Sequence, residues 1–482
     1  MDFGLLINNR EVPAVSGARF ERLDPITSAL VSTAAAASAT DGGAAVESAA
    51  GAFPSWSISS PEARREILLA AADKLVKRTE DFTRLMMGET GASAPWVRFN
   101  VKLAAGMLRE AAALTTQIKG EIIPANKQGS ISLAFRRPAG VVLSIAPWNA
   151  PIVLAVRAFA TALACGNTVV LKASEMSSGT QVLLGRVMTE SGLPPGVLNV
   201  ITNAPSEAGP VVEAMIAHPA VRRVNFTGST RTGRIIAELA ARYLKPVLLE
   251  LGGKAPMLVL EDADIDNAVR AAAFGAFIHQ GQVCMSTERI VVDNKIADEF
   301  AEKMAAKTKT IAAGNPQIND VALGSLISRD AAARVGGLIR DAVERGARLL
   351  AGGNIDGSIM DATLLDHVKP DMRIYYEESF GPVACIVRVA DADAAIRVAN
   401  DTEYGLSSGI FSRNVKQALE IASQLQFGCC HINGPTVHDE PQAPLGGQKA
   451  SGYGRFGGSP GISEFTEVQW VTIEDPGQHY PI

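Results

Sequence analysis

One cysteine, Cys284, follows a Gly281-Gln282-Val283 turn, and upstream of it Glu250 precedes Leu251-Gly252-Gly253-Lys254. A thiol is a strong nucleophile once ionised, and a carboxylate can activate a water. The pair outlines covalent chemistry in which an acyl group is carried on sulfur and then hydrolysed off. Each residue alone also has an ordinary structural reading. A lone Cys in an apolar stretch is commonly inert core, and a Glu before Gly-Gly commonly sits exposed at a strand end. The other segments of the chain decide between these readings.

Such a pair needs a scaffold, and from residue 140 onward strand and helix patterns alternate. The spacing predicts strands over 141–146, 168–172, 197–201, 221–226 and 246–250, with helices over 153–164, 180–190, 206–217 and 232–242. Repeats of this kind argue for a parallel sheet with helices on both faces. A second alternating series runs from 255 to about 437, so the fold class is α/β, with two α/β domains meeting near 251–253. Before them the sequence predicts a hairpin over 5–7 and 10–12 and close-packed helices in the alanine-rich segment 34–52. It also predicts helices within 61–87 and 96–118.

Composition removes several function classes. Of 482 residues, 47% are apolar and 20% charged, which favours large cores over disorder. The net charge is −5, and basic residues occur as scattered pairs such as Arg136-Arg137, giving no surface for nucleic acid or an anionic membrane. Five cysteines without C-x-x-C spacing and six histidines without H-E-x-x-H spacing predict neither a disulfide framework nor a metal site. The N-terminus has no basic signal region, and Pro147, Asn149, Pro151 and Arg157 interrupt the apolar zone 140–170. That zone falls short of the ~18–20 apolar residues of a membrane span. A cytoplasmic protein is the expectation.

Two turns in the first α/β series fit a nucleotide. In the stretch 224–233, Gly228 permits close backbone approach, and the free N–H groups of the following helix, with Ser229 beside them, form an anion site for a pyrophosphate. Lys172 and Glu175 stand at the carboxyl end of a predicted strand, where ligands of open α/β sheets bind. A carboxylate there can accept from a ribose 2′-OH and repels a 2′-phosphate, which favours NAD over NADP.

With these segments in hand, the chain resembles the aldehyde dehydrogenase superfamily over nearly its whole length. The motifs are Pro147-Trp148-Asn149, Leu171-Lys172-Ala173-Ser174-Glu175, Phe226-Thr227-Gly228-Ser229-Thr230, Glu250-Leu251-Gly252-Gly253-Lys254, Gly281-Gln282-Val283-Cys284 and Glu377-Glu378-Ser379-Phe380-Gly381-Pro382, all in the family's order. The resemblance implies that Cys284 is the nucleophile and Glu250 the general base, with the Asn149 amide and the Cys284 backbone N–H holding the oxyanion. It places Lys172 and Glu175 on the adenosine ribose, Gly228 and Ser229 on the pyrophosphate, and Glu378 and Phe380 on the nicotinamide ribose and ring. Trp148 and Gly252 belong to the same cofactor side. The implied architecture is a Rossmann-like cofactor domain (1–117 and 139–250), a catalytic α/β domain (251–450) and a small β arm (118–138 and 463–482). In the family the arm joins subunits into homodimers or homotetramers. The implied cofactor is NAD, with NADP as the alternative. The presence of Glu250 disfavours the CoA-acylating relatives, which lack that base.

For the substrate, Ala150 follows Asn149 and Arg157 stands eight residues on, where the family commonly has bulky aromatics. Trp96 and Phe99 precede a helix read over 101–113, which in the family lines the substrate funnel. A small residue beside aromatics leaves room for a flat ring, and Arg157 is placed to bond a ring hydroxyl or carboxylate. With the stretches 284–289 and 454–458, this is similar to the salicylaldehyde, vanillin and benzaldehyde dehydrogenase branch. The alternatives are a semialdehyde or aliphatic aldehyde dehydrogenase, a thioesterase-like hydrolase without redox chemistry, and a non-catalytic structural protein on this scaffold.

Overall fold

The computed structural model describes residues 1–477 and Ile482. Five parallel strands, Val247–Glu250, Val221–Thr227, Val141–Ile145, Thr168–Lys172 and Leu198–Ile201, lie side by side at the centre of an eight-stranded sheet. Its edges are antiparallel: Gly452–Tyr453 on one side, and on the other the hairpin Leu5–Ile7 and Arg10–Val12. The hairpin turns on Asn8 and Asn9, at φ 55° and 60°, the left-handed pair that a two-residue turn requires. Residues of Val141–Ile145 and Thr168–Lys172 are buried throughout. Successive side chains enter different cores. Val142, Val169 and Leu171 pack with the helix Pro151–Ala164, while Leu143, Ile145 and Val170 pack against Ala39–Ser57 and Ala208–Ala217. Each such Val, Leu or Ile contributes roughly 1.5–3 kcal/mol of burial, which explains why these strands read as apolar runs without alternation.

The chain leaves the first sheet at Glu250 and enters a second, seven-stranded sheet at Ala255. That sheet runs Arg348–Ala351, Thr363–Asp366, Val383–Val389, Thr287–Asp293, Ala255–Val259, Ser407–Phe411 and Cys429–Ile432, parallel except at its first strand. A third sheet, of Glu121–Ile123, Ile131–Pro138 and Thr466–Ile473, is antiparallel. It leaves Ile122, Ile131, Phe135, Val468, Trp470 and Ile473 exposed. Of the arm segment 463–482, residues 478–481 lie outside the described residues, and 463–464 close the helix Gly458–Glu464.

Three local expectations need correction. Ala34 and Ala35 are in a strand, Leu30–Ala35, because Asp2–Phe3 and Arg19–Leu23 pair with it on both sides; pairing overrides alanine's helix preference. The helical stretch 61–87 divides at Arg78 into Pro61–Lys77 and Thr79–Thr90. Trp96 and Phe99 lie inside the first turns of Ala94–Leu114 rather than before a helix. Among the described residues, no helix is long and apolar enough to cross a membrane.

Candidate active site

The segment that presents Cys284 is wound against its preference. After the helix Ile265–Phe277, His279, Gln280 and Gly281 take φ of 49°, 55° and 69° in succession. Each non-glycine residue in the left-handed region costs about 1–2 kcal/mol, so surrounding contacts must hold the turn. Gln280 Nε2 donates to Ser325 O at 2.9 Å, and Gln282 Oε1 accepts from Ile327 N at 2.9 Å. A Cβ on Gly281 would lie 2.1 Å from Gly381 O, so only glycine fits there.

So positioned, Cys284 Sγ donates to Glu250 Oε1 at 3.4 Å. Glu250, at the end of the strand Val247–Glu250, is 1% exposed, and its second oxygen is buried without a hydrogen-bond partner. Burial pushes its carboxyl up to about 7, close to the value that suits a general base near neutrality. Burial, and then the neighbouring Glu250 charge, push the Cys284 thiol well above its ordinary value. The resting pair is therefore a protonated thiol against a carboxyl able to take its proton. Asn149 is drawn to the same loop: its Nδ2 donates to Gln282 O at 2.9 Å, and its backbone oxygen accepts from Trp96 Nε1 at 3.0 Å.

Two cavities share Cys284, Asn149 and Leu154 in their walls. The larger, about 800 Å³, is lined by Trp148, Gly228, Ser229, Gly252, Glu378 and Phe380. Ser229 caps the helix Thr230–Arg242, accepting from Thr232 N at 3.3 Å, so the helix's free N–H groups face an anion position. Glu378 Oε1 accepts from Gly253 N at 2.9 Å, and burial, with Glu288 adding its charge, pushes the carboxyl up to about 8. Phe380, at φ 48°, meets Trp148 edge-on with ring centres 5.8 Å apart. Lys254 and Glu288 form a buried ion pair under this loop: Glu288 accepts from Ser379 N at 2.8 Å and Phe380 N at 3.2 Å, and Lys254 Nζ donates to Glu377 O at 2.7 Å. Lys254 falls in a motif and Glu288 in the stretch 284–289, but no local pattern in the sequence signals this anchoring. Lys172 and Glu175 lie beyond the cavity's lining and pair with each other at 3.0 Å.

Gly252 provides a direct test of this cavity. A Cβ there would meet Glu378 Oε2 at 2.8 Å. Gly252→Ala is expected to displace that carboxyl group and weaken dinucleotide binding by about two- to tenfold, the loss of one hydrogen bond. Isothermal titration with NAD and with NADP checks it; unchanged affinity for both removes Glu378 from the binding surface.

The smaller cavity, about 260 Å³, has Trp96, Phe99, Ala150 and Arg157 on its wall, so all four substrate candidates converge. Trp96 stacks on His279 (4.7 Å, 9° between planes) and on Phe99 (5.2 Å, 20°), and Trp96 and Phe99 give one part of the wall an aromatic lining. Arg157 bonds Asp439 through one nitrogen, with the two side chains 8% and 9% exposed. A buried guanidinium needs a counter-charge, and Asp439 supplies it. Asp439, His438, Val437 and Pro435 reach the cavity from the segment after the strand Cys429–Ile432. They carry no periodic pattern, and nothing in the sequence links Asp439 to a helix far upstream.

The family model described as the aldehyde dehydrogenase family matches residues 12–471. The chain belongs to the aldehyde dehydrogenase family. It is 56% identical over 482 residues to a vanillin dehydrogenase of Pseudomonas fluorescens, covering 100% of each chain. It is 49% identical over 478 residues to a salicylaldehyde dehydrogenase of Pseudomonas putida, covering 99% of each. The crystal structure of a salicylaldehyde dehydrogenase from Pseudomonas putida G7, complexed with salicylaldehyde, superposes with a TM-score of 0.99 at 48% identity, covering 100% of both chains. The protein is thus an aldehyde dehydrogenase, an oxidoreductase acting on aldehydes with a nicotinamide dinucleotide. Its larger cavity fits such a group: a helix N-terminus for phosphates, a buried carboxylate able to accept from a hydroxyl, and an aromatic pair beside Cys284.

Proposed function

We propose that the protein oxidises aromatic aldehydes to carboxylic acids with NAD, through an acyl group carried on Cys284. The observation that carries this reading is the 260 Å³ cavity that has Cys284 in its wall together with the stacked Trp96 and Phe99 rings. Its size and aromatic lining suit one substituted ring, and the vanillin and salicylaldehyde dehydrogenases it resembles support the same class.

The residues divide the work as follows. Glu250 takes the Cys284 proton across their hydrogen bond, and the thiolate adds to the aldehyde carbon. The Asn149 amide and the Cys284 backbone N–H hold the resulting oxyanion; preorganised donors of this kind contribute on the order of 3 kcal/mol each. NAD bound in the larger cavity, beside Glu378 and Phe380, would supply the acceptor for the hydride from the aldehyde carbon. Glu250, relieved of its first proton, takes another from a water that attacks the thioacyl carbon, and the carboxylic acid leaves as the sulfur regains its proton. The unpartnered Glu250 Oε2 leaves an acceptor available for that water. The exposed apolar side chains of the third sheet support a role in joining copies of the chain into a homodimer or homotetramer.

The test is a panel of aldehydes read by NADH absorbance. Benzaldehyde, salicylaldehyde and vanillin are expected to exceed propanal and succinic semialdehyde in kcat/KM by at least about tenfold; propanal as the best substrate ends the aromatic reading. Within that panel Ala150→Phe is expected to depress the aromatic aldehydes more than propanal, because the new ring fills the space beside Trp96. Equal losses would place Ala150 outside the ring's site.

Preference for NAD rests on Glu175. Despite its own burial, the adjacent Lys172 charge holds its carboxyl below the usual range, so it is ionised at neutral pH and opposes a 2′-phosphate. The expected kcat/KM favours NAD, and Glu175→Ser is expected to narrow the gap by about tenfold. Equal efficiency with NADP in the unmutated enzyme refutes the assignment.

A further inference from the structure

Asp439 takes no proton-transfer step in the chemistry above, although its charge helps raise the Glu250 carboxyl, and it sits on the aldehyde cavity's wall. It lies in the segment after the strand Cys429–Ile432 and bonds Arg157 of the helix Pro151–Ala164. The cavity's charged groups are few. Besides Cys284, its titratable lining is Arg157, Asp439 and His438, and His438, half exposed, is turned toward Glu440 at 3.3 Å. The rest of the wall is mainly apolar or aromatic, including Trp96, Val153, Ile278 and Val437. The Arg157 cation and the Asp439 anion therefore offset each other within a mainly apolar cavity.

We propose that Asp439 is a specificity-determining residue: by occupying Arg157 it keeps the aldehyde cavity electrically neutral, and so excludes aldehydes that carry a second, anionic group. The proposal rests on the reading of this cavity as the aldehyde site. A substrate carboxylate entering it loses its hydration and finds the one buried cation already paired. It also brings a third negative charge near Asp439 and Glu250. A neutral ring substituent pays none of these costs, and the ion pair offers a phenol both N–H donors and carboxylate acceptors on one wall. An unpaired Arg157 would reverse the preference, since a buried guanidinium binds carboxylates in a fixed fork. Asp439 thus separates neutral aromatic aldehydes from semialdehydes and formylbenzoates on a scaffold with room for either.

The test compares kcat/KM for the 2-, 3- and 4-carboxybenzaldehydes with that for benzaldehyde. In the unmutated enzyme all three are expected to be poor substrates. In Asp439→Asn, which keeps the side chain's shape and removes its charge, the ratio for at least one isomer is expected to rise about ten- to a hundredfold. Dinucleotide binding and a thermal melt establish that the variant is folded; an unchanged or lower ratio in folded protein overturns the proposal and leaves Asp439 as a structural tie. Should the unpaired Arg157 prevent folding, the double variant Arg157→Leu with Asp439→Leu removes both charges at once. There the ratio is expected to stay where it began, whereas a marked fall would mean that Arg157 already served carboxylates and would overturn the proposal. If benzaldehyde itself is not oxidised, the aromatic reading fails separately. The same comparison then runs with succinic semialdehyde against butanal, with the same rise expected in Asp439→Asn.

Discussion

Cys284→Ala is expected to abolish dehydrogenase turnover, a loss of at least about 10⁴-fold, the scale seen when a covalent centre is removed. Binding of NAD is expected to survive, because Cys284 is only one residue of the larger cavity's lining, which also includes Ser229, Gly252 and Glu378. The remaining cysteines are poor substitutes, because among the described residues only Cys284 bonds Glu250 and lines the two cavities. Cys165 and Cys385 lie within hydrophobic cores, where burial pushes both thiols up to about 12. Cys429 and Cys430 are half-buried in the edge strand Cys429–Ile432, and their thiols are likewise raised by burial. NADH absorbance for turnover and equilibrium titration for binding measure the two quantities. Retained turnover in Cys284→Ala, or its loss in Cys429→Ala or Cys165→Ala, would move the nucleophile elsewhere.

Glu250→Gln separates two roles that the geometry gives to one carboxylate. Steady-state turnover is expected to fall about 10²- to 10⁴-fold, the usual worth of a positioned general base. A pre-steady-state burst of NADH should remain, because a glutamine stops hydrolysis of the acyl group while the thiol can still ionise in part. The contact between Sγ and Oε1 adds a pH signature. With the carboxyl near 7, its basic form predominates above that value, so the burst rate of the unmutated enzyme should decline as pH falls through 7. In Glu250→Gln that limb should vanish and the burst should quicken only at higher pH, following the thiol's own ionisation. Stopped-flow absorbance across pH 5 to 10 resolves both. A variant with no burst at any pH would make Glu250 essential to forming the thiolate and not only to discharging it.

The main elements of the site were legible in the sequence because they come from regular patterns or from glycine. The run of apolar strands fixes where the first sheet ends, and hence the position of Glu250. Gly252 and Gly281 stand where a Cβ would strike Glu378 or Gly381. What stayed hidden came from side chains meeting across long stretches of chain. Nothing in a local pattern tells that Arg157 will be met by Asp439, 282 residues later, so its charge looked available to a substrate. The same reason hid the support that Glu288 and Lys254 give to the Phe380 loop. Ala34 and Ala35 show the opposite case, a strong local preference overruled by two neighbouring strands. Lys172 and Glu175 fall between: their place at a strand's end was readable, and their pairing with each other was not.

The hydrogen bond that ties Cys284 to Glu250 also bears on how the enzyme ages. Peroxide attacks thiolates and largely spares thiols, following the fraction ionised. A sulfur kept protonated by its burial and by an acidic neighbour presents little of the vulnerable form while the enzyme waits. It becomes exposed to oxidants only in the brief interval when the carboxylate has taken its proton, and an aldehyde already in the cavity then competes for the same electrons. Idle enzyme should therefore outlast its chemistry's reputation, and alkaline conditions without substrate should be where it wears out first.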